Sequence, residues 1–92
     1  MEIICIDDNS KITNINHMTK LKELVAQGSC GINDEGINNL NNIEILYVGD
    51  NSKITNINHM TKLKELDAQG TCGISDEGII SLNNLEKNMR GL

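Results

Sequence analysis

An uninterrupted internal repeat constrains the fold of this chain more than any other feature of its sequence. The 17 residues at positions 8–24, DNSKITNINHMTKLKEL, recur without a change at positions 50–66. Identity over this length, at an offset of 42 residues, indicates duplication of a structural unit. A period of this size is typical of stacked supersecondary units, so we expect a stack of coils rather than one core built from distant segments.

A shorter apolar pattern divides each 42-residue period into two units. Apolar residues stand at the first, fourth and sixth positions, Asn, Ser or Thr at the ninth, and Ile at the twelfth. The pattern occurs four times and defines unit 1 (1–20), unit 2 (21–42), unit 3 (43–62) and unit 4 (63–84). Residues 85–92 are a degenerate partial repeat or a C-terminal tail, because Asn88 and Arg90 replace apolar residues of the pattern.

This pattern resembles the leucine-rich repeat, L-x-x-L-x-L-x-x-N/C-x-L. The return segment of units 1 and 3, ITNINHMTK, is similar to that of internalin-type repeats. Units 2 and 4 contain INDEGINNL and ISDEGIISL, which resemble the I-T-D-x-G-L-x-x-L turn of the cysteine-containing subclass. The resemblance implies an α/β solenoid with four parallel strands on its concave face and 3₁₀ or short helical return segments on its convex face.

The residue types within each unit support a strand followed by a return segment. Ile4 and Ile6, like their equivalents in the other units, alternate with the period of two of a strand that buries one face. The polar residue at the ninth position can bond neighbouring backbone groups in a tight turn. Apolar residues spaced by three favour a 3₁₀ or extended return in units 1 and 3. In units 2 and 4, Asn33 or Ser75 is expected to cap a short helix.

A competing fold is a small α/β domain of strand–helix–strand units. Residues 14–27 could form one amphipathic helix, with Ile15, Met18 and Leu24 on one face and Gly28 ending it. That helix explains neither the alternation at Ala26 nor the recurring polar ninth position. We therefore favour the repeat fold.

Composition and charge exclude several classes of partner. The net charge is −5 and the pI is about 4.8, which argues against nucleic acid or an anionic membrane as a partner, since both attract clustered Lys and Arg. Neither a signal peptide nor a transmembrane segment is indicated. Asn, Ile and Lys are frequent, which suggests the compositional bias of an AT-rich genome rather than a physical requirement.

The three cysteines, Cys5, Cys30 and Cys72, do not indicate a disulfide framework because their number is odd. A reducing, intracellular (cytoplasmic) location is therefore expected. Cys30 and Cys72 occupy equivalent repeat positions about 10 Å apart by strand spacing, too far for a bond between them, and are expected to fill turn interiors. Cys5 is expected to lie at an outward strand position.

One alternative function starts from the acidic residues at the strand ends. Asp7 and Asp8 follow the strand IICI, and Asp50 follows ILYVG, which is similar to the Mg²⁺ site and phosphoacceptor of a receiver domain. Carboxylates at strand ends are suitable Mg²⁺ ligands. However, Asp8 and Asp50 hold the same repeat position, so duplication already accounts for both.

No catalytic apparatus is visible in the sequence. His17 and His59 are repeat equivalents expected to be solvated on the convex side, and no Cys or Glu is placed to complete a zinc site with them. The P-loop, dinucleotide-binding, HExxH and GxSxG motifs are absent. We predict a protein that is not an enzyme and needs no cofactor or metal.

The outward face of the strands is the candidate binding surface. Side chains at the third, fifth, seventh and eighth positions of each unit are expected there, and the fifth position differs most between units. Tyr47, the only aromatic residue, would be an anchor, and acidic neighbours would attract a basic protein partner. The predicted partner-binding residues are Cys5, Asp7, Glu23, Val25, Tyr47, Glu65 and Asp67.

We therefore predict a leucine-rich-repeat scaffold that mediates protein–protein interaction through an acidic concave sheet. The first strand begins without a preceding polar cap, so self-association through this strand is also expected. A second alternative is a repeat fragment or spacer with no binding role of its own.

Overall fold

A computed structural model describes residues 3–90 and shows a solenoid of stacked coils. Five strands form one parallel sheet in sequential order: β1 (Ile3–Cys5), β2 (Glu23–Val25), β3 (Ile45–Tyr47), β4 (Glu65–Ala68) and β5 (Lys87–Arg90). Each coil of 20 or 22 residues returns the chain to the sheet one strand further along, which confirms the predicted solenoid fold. Met1, predicted to open the first unit, and residues 91–92 of the predicted tail lie outside the described residues.

The fifth strand corrects the predicted count of four. Residues 85–92 were expected to leave the repeat pattern, yet β5 pairs with β4 in the same register as the other strands, with Asn88 opposite Leu66. Backbone hydrogen bonds do not depend on side-chain type, so the strand forms although its inward position holds a polar residue. Asn88 is exposed, whereas the equivalent Leu46 of β3 is fully buried.

The return segments differ between the two unit lengths, as the sequence predicts. Units 2 and 4 form 3₁₀ helices over Asp34–Ile37 and Asp76–Ile79. Asn33 caps the first helix, because its side-chain oxygen accepts a hydrogen bond of 2.9 Å from the Gly36 amide. Ser75 occupies the N-cap position of the second helix, but the expected hydrogen bond from its side chain is absent, so that part of the prediction is wrong.

The returns of units 1 and 3 are extended segments with tight turns. In unit 3 the amide of Met60 donates to the Ile57 carbonyl, and the amide of Leu63 donates to the Met60 carbonyl, at 3.0 Å each. Unit 1 repeats this pattern. The amphipathic helix considered for residues 14–27 does not form, because these residues contain turns and then β2.

The core is a set of aliphatic layers, one per coil, with each layer covered by its neighbours. Leu24, Leu46 and Leu66 are fully buried beneath the sheet, and Ile37 closes the layer on the return side. Asn51 is the one polar side chain among the described residues that is buried, at 1% exposure. The interior is therefore apolar apart from this single amide.

Asparagine side chains join the coils on the convex side. In unit 1 the amide nitrogen of Asn16 donates to the Glu35 carbonyl at 2.7 Å, and its oxygen accepts from the Asn39 amide at 2.8 Å. Asn58 makes the equivalent bonds from unit 3 to unit 4. These side chains satisfy backbone groups that the irregular return segments leave unpaired. The amides at these positions therefore have a structural role, which the composition alone did not indicate.

Candidate functional site

The strand register arranges the outward side chains of the sheet in two columns. The first column follows the third position of each unit and the second follows the fifth position. The first column contains Ile3, Glu23, Ile45, Glu65 and Lys87. The second column contains Cys5, Val25, Tyr47, Asp67 and Met89. We call these ten residues the concave surface.

Six of the seven predicted binding residues belong to the concave surface, and they differ in exposure. Cys5 is exposed at the edge strand, whereas Val25, Tyr47 and Asp67 are half-buried because strands flank them on both sides. Glu23 and Glu65 are also half-buried, one strand to each side of β3. The structure therefore brings the central members together.

Asp7, the seventh predicted residue, lies beyond the end of β1 and is tied to the neighbouring coil. One oxygen of its carboxylate accepts a hydrogen bond of 2.8 Å from the Gln27 amide. The Asp67 carboxylate makes a longer contact of 3.4 Å with the Gln69 amide. Asp7 thus has a structural contact that the sequence did not indicate, and Asp67 is the less constrained of the two carboxylates.

Lys87 and Met89 were missed as members of the concave surface. Both come from β5, the strand that the sequence pattern did not predict. Lys87 stands opposite Glu65, and Met89 stands opposite Asp67. A signal was available, because Leu85 begins a further copy of the pattern whose third and fifth positions are Lys87 and Met89. These residues give the acidic surface a basic and apolar edge.

Asp8 and Asp50 have a structural role in the sheet edge. Both adopt the left-handed backbone conformation, with φ of 56° and 59°. The Asp8 carboxylate accepts hydrogen bonds from the Ser29 amide at 2.9 Å and from the Ser29 hydroxyl at 3.2 Å. Asp50 makes the same two bonds with Thr71. Each carboxylate therefore links its own coil to the next one along the stack.

The glycine of the following unit leaves room for each of these carboxylates. Gly28 and Gly70 also have positive φ, of 68° and 73°, a conformation that glycine adopts without steric cost. A Cβ at Gly28 would overlap the Asp8 carboxylate, and the same holds for Gly70 and Asp50. Aspartate and glycine alternate along this edge for steric reasons.

The two histidines differ, although their local sequences are identical. His17 is exposed, as predicted. His59 is half-buried, and its Nε2 lies 2.9 Å from the Ile37 carbonyl oxygen. A carbonyl oxygen only accepts, so Nε2 must carry the proton and donate it. The prediction that His59 is a solvated convex-side residue is therefore wrong, because unit 2 covers it.

All three cysteines are free thiols, and their environments differ. Burial raises the pKa of the Cys30 thiol, with the carboxylate of Asp7 adding to the effect. Burial also raises the pKa of Cys72. A raised pKa keeps a thiol protonated and poorly nucleophilic. Cys30 and Cys72 accordingly fill the interiors of their coils as small apolar groups.

Two further observations concern metal and membrane binding. Within residues 3–90, no group of three or more His, Cys, Asp or Glu side chains is arranged to hold a metal ion. The helical segments of this part of the chain are four residues each, and none is long and apolar enough to cross a bilayer.

Shallow depressions lie at the end of the stack and beside the start of the strands. One of about 440 Å³, beside unit 1, is lined by Ile4, Ile12, Ile15 and Met18 together with polar residues. Another of about 370 Å³ is lined by Lys20, Lys22, Lys62, Asn42 and Glu44. Both are open to solvent, so neither resembles the enclosed pocket that a small-molecule ligand requires.

The chain is a leucine-rich-repeat-like solenoid by its architecture: parallel strands line one face, and return segments with few helices line the other. No family model, no curated protein and no solved structure matches this sequence.

Proposed function

We propose that this solenoid is a non-enzymatic scaffold whose concave surface binds a basic segment of a protein partner. The observation that carries the proposal is the row formed by Val25, Tyr47 and Asp67 on three adjacent strands. The row places an apolar, an aromatic and an acidic side chain side by side, all half-buried. A rigid sheet holds them in position, which reduces the entropy that binding would lose.

Tyr47 is suited to be the anchor of this surface. It lies on β3, the central strand, so two strands flank it on each side. Among the described residues its hydroxyl group has no hydrogen-bond partner. Tyrosine contributes strongly to interfaces because its ring buries a large area while its hydroxyl can bond the partner.

Acidic side chains around Tyr47 define the charge of the partner. Glu23 and Glu65 stand one strand to either side of Ile45, and Asp67 stands next to Tyr47. Lys87 follows at the far edge, opposite Glu65. A complementary partner has Lys or Arg over the central strands and an acidic or neutral residue beyond β4. This charge order fixes the direction in which the partner segment lies along the sheet.

Affinity capture with paired variants tests the proposal. Tyr47→Ala should reduce the recovery of a specific partner by about 30-fold or more, the size of a hot-spot loss. Ile80→Ala is the matched control, because Ile80 is 77% exposed and belongs to the return segment instead of the sheet. Circular dichroism of each variant should be that of the original chain.

Asp67→Val separates the acidic contribution from the aromatic one. Valine is the residue of unit 2 at the same position, so the sheet already accepts it there. The variant should weaken capture at low salt and have less effect at high salt, because charges at a partly exposed surface are screened. Equal recovery with Tyr47→Ala and with the original chain would show that the concave surface is not the binding site.

A further inference from the structure

The two ends of the stack carry complementary surfaces, and the interior of the same molecule shows how such surfaces fit. Unit 3 packs directly on unit 2, and its side chains donate hydrogen bonds to unit 2. Residues 8–20 of unit 1 are identical to residues 50–62 of unit 3, whereas the strand residues Ile4, Cys5, Ile6 and Asp7 replace Leu46, Tyr47, Val48 and Gly49. Unit 4 contains the same hydrogen-bond acceptors as unit 2. The interface between units 2 and 3 therefore shows how unit 1 of one chain would pack on unit 4 of another.

The interior interface depends on side-chain donors from unit 3. The Asn51 amide nitrogen donates to the carbonyl oxygens of Ala26 and Ile32, at 2.9 and 3.4 Å. His59 donates to the Ile37 carbonyl at 2.9 Å. Three further side-chain donors complete the set: Lys53 Nζ donates to the Cys30 carbonyl, the Thr55 hydroxyl donates to the Asp34 carboxylate, and Lys62 Nζ donates to Asn42 Oδ1.

Unit 1 presents all of these donors again. The equivalents of Asn51, Lys53, Thr55, His59 and Lys62 are Asn9, Lys11, Thr13, His17 and Lys20. Within residues 3–90, the side chains of His17, Lys11 and Lys20 donate no hydrogen bond. The apolar residues between them are also uncovered, since Ile12 and Met18 are half-buried where Ile54 and Met60 are fully buried.

Unit 4 contains the same acceptor residue types as unit 2. Units 2 and 4 differ at five positions, none of which accepts a hydrogen bond from unit 3. The acceptors of unit 2 correspond in unit 4 to Ala68, Cys72, Ile74, Asp76, Ile79 and Asn84, which are the same residue types in each case. The complementary pair of surfaces thus exists twice, once inside the molecule and once between its two ends.

Residues 85–90 cover unit 4 less well than unit 3 covers unit 2. Asn88 holds the inward position at which β1 has Ile4 and β3 has Leu46, and it is exposed instead of packed. Ile79 and Cys72 are half-buried, whereas the equivalent Ile37 and Cys30 are fully buried. Strand β5 therefore satisfies the hydrogen bonds of β4 without completing its apolar layer.

We propose that unit 1 of one chain stacks on unit 4 of a second copy and replaces β5 there. Strand β1 then pairs with β4 in the register that β3 has with β2. Ile3, Ile4 and Cys5 of the first chain lie opposite Glu65, Leu66 and Asp67 of the second copy. The interface joins different surfaces of the two chains, so it does not close, and it produces head-to-tail oligomers whose length increases with protein concentration.

Disulfide trapping with Asp67→Cys tests this arrangement. In the stack, Cys5 of one chain lies next to position 67 of the other on the same face of adjacent strands, within the reach of a disulfide. Within one chain, β1 and β4 are three strands apart, roughly 14 Å, which is too far. Mild oxidation with oxidised glutathione should give a ladder of covalent oligomers, and mass spectrometry should identify the bond between Cys5 and the introduced thiol.

Two control variants calibrate the trapping. Val25→Cys places a thiol opposite Cys5 within the same chain, so it should give an internal bond and a monomer. Asn88→Leu, added to Asp67→Cys, supplies the apolar residue that β5 lacks. It should reduce the yield of covalent oligomers about tenfold, since burying one apolar side chain shifts such an equilibrium by that order.

Each alternative outcome contradicts the proposal. If Val25→Cys gives its internal bond while Asp67→Cys remains monomeric at millimolar concentration, the ends do not stack. Bonds between two Cys5 residues, without any to position 67, would instead show pairing of two β1 edges. An unchanged yield with Asn88→Leu would show that replacement of β5 is not part of the association.

Discussion

The interior units of the stack and the terminal units carry nearly the same sequence in different surroundings. Within residues 3–90, units 2 and 3 are covered by another unit on both sides. No other unit covers the N-terminal side of unit 1, and residues 85–90 cover the C-terminal side of unit 4. Ile54 of unit 3 is fully buried, but Ile12, its equivalent in unit 1, is half-buried. Asn51 is buried at 1% exposure, and its equivalent Asn9 is exposed. Burial in this protein is set by position in the stack.

Local conformation, in contrast, is the same in both places. The amide of Lys11 donates to the Asn9 side chain at 3.1 Å, and the amide of Lys53 donates to Asn51 at 2.9 Å. Short-range hydrogen bonds therefore define the coil wherever it lies, while contacts between coils supply most of the burial. This separation agrees with the view of repeat proteins as units with an intrinsic stability and an interface stability. Substitutions at equivalent positions can measure the two contributions separately.

The largest difference is expected for the isoleucine at the twelfth position. Ile54→Ala removes a fully buried side chain and should lower the free energy of unfolding by about 3 kcal/mol, within the usual range for a buried isoleucine. Ile12→Ala affects a half-buried side chain and should cost about 1 kcal/mol. Urea unfolding followed by circular dichroism gives both values, with the slope of the transition as a check on two-state behaviour.

A second pair of isoleucines is the control for this comparison. Ile15 and Ile57 are both buried, at 3% and 0% exposure. Alanine substitutions there should cost similar amounts, because the side chain lies inside its own coil in both units. Equal costs at Ile12 and Ile54 would contradict the proposed dependence on position in the stack.

A smaller difference is expected for the asparagine at the ninth position. Asn51→Ala leaves the Ala26 carbonyl without its donor inside the stack, which should cost about 2 kcal/mol. Asn9→Ala removes only a local bond to an exposed amide and should cost about 0.5 kcal/mol.

Aspartate substitutions separate the local hydrogen bond of the asparagine from the hydrogen bonds that it makes to the neighbouring coil. Asn51→Asp and Asn9→Asp both keep the oxygen that accepts from the backbone amide two residues later. Only Asn51→Asp brings a carboxylate against a buried carbonyl, so only this variant should be destabilised. Comparable unfolding midpoints for the two aspartate variants would show that the bonds from Asn51 to unit 2 contribute little.

The alkylation rates of the cysteines in units 2 and 4 measure how well the C-terminal side of each unit is covered. Cys30 is fully buried and Cys72 is half-buried, so alkylation of Cys30 by iodoacetamide should be at least about tenfold slower, because it requires separation of the coils. Exposed Cys5 should react first. Equal rates for Cys30 and Cys72 would mean that both ends of the stack open together.

The raised pKa of Cys30 also predicts a dependence of stability on pH. A thiol whose pKa is higher in the folded state binds its proton more tightly there than in the unfolded chain. The associated stability is present below the ordinary pKa of 9.0 and is lost as the pH rises towards the folded value. The difference in unfolding free energy between the original chain and Cys30→Ala should therefore decrease above about pH 9.

The sequence predicted the solenoid because the duplicated segment and the apolar pattern leave few other folds. It predicted the outward columns as well, since the period of two in each strand fixes which residues share a face. The pattern did not predict β5, whose inward residue is Asn88, because hydrogen bonding to β4 is sufficient for a strand at the end of a sheet. The burial and the hydrogen bonds of His59 and Asn51, in contrast, depend on the neighbouring coil. The local sequence does not distinguish these two residues from His17 and Asn9, because the two segments are identical.

The smallest difference between equivalent residues is expected at the aspartates of the eighth position. It tests whether units 1 and 3 differ only on the side that faces the N-terminal end of the stack. Asp8 and Asp50 both bond the following unit, through Ser29 and Thr71. Asp8→Ala and Asp50→Ala should each cost about 1–2 kcal/mol, because both lose charge-assisted hydrogen bonds and both leave alanine at positive φ. Asp8→Gly and Asp50→Gly should cost less, since glycine adopts that conformation freely. The two sites should agree within about 0.5 kcal/mol. A much larger loss at Asp50 would show that the two halves also differ on the side facing the C-terminal end, so that the open side of unit 1 would no longer account for the whole asymmetry.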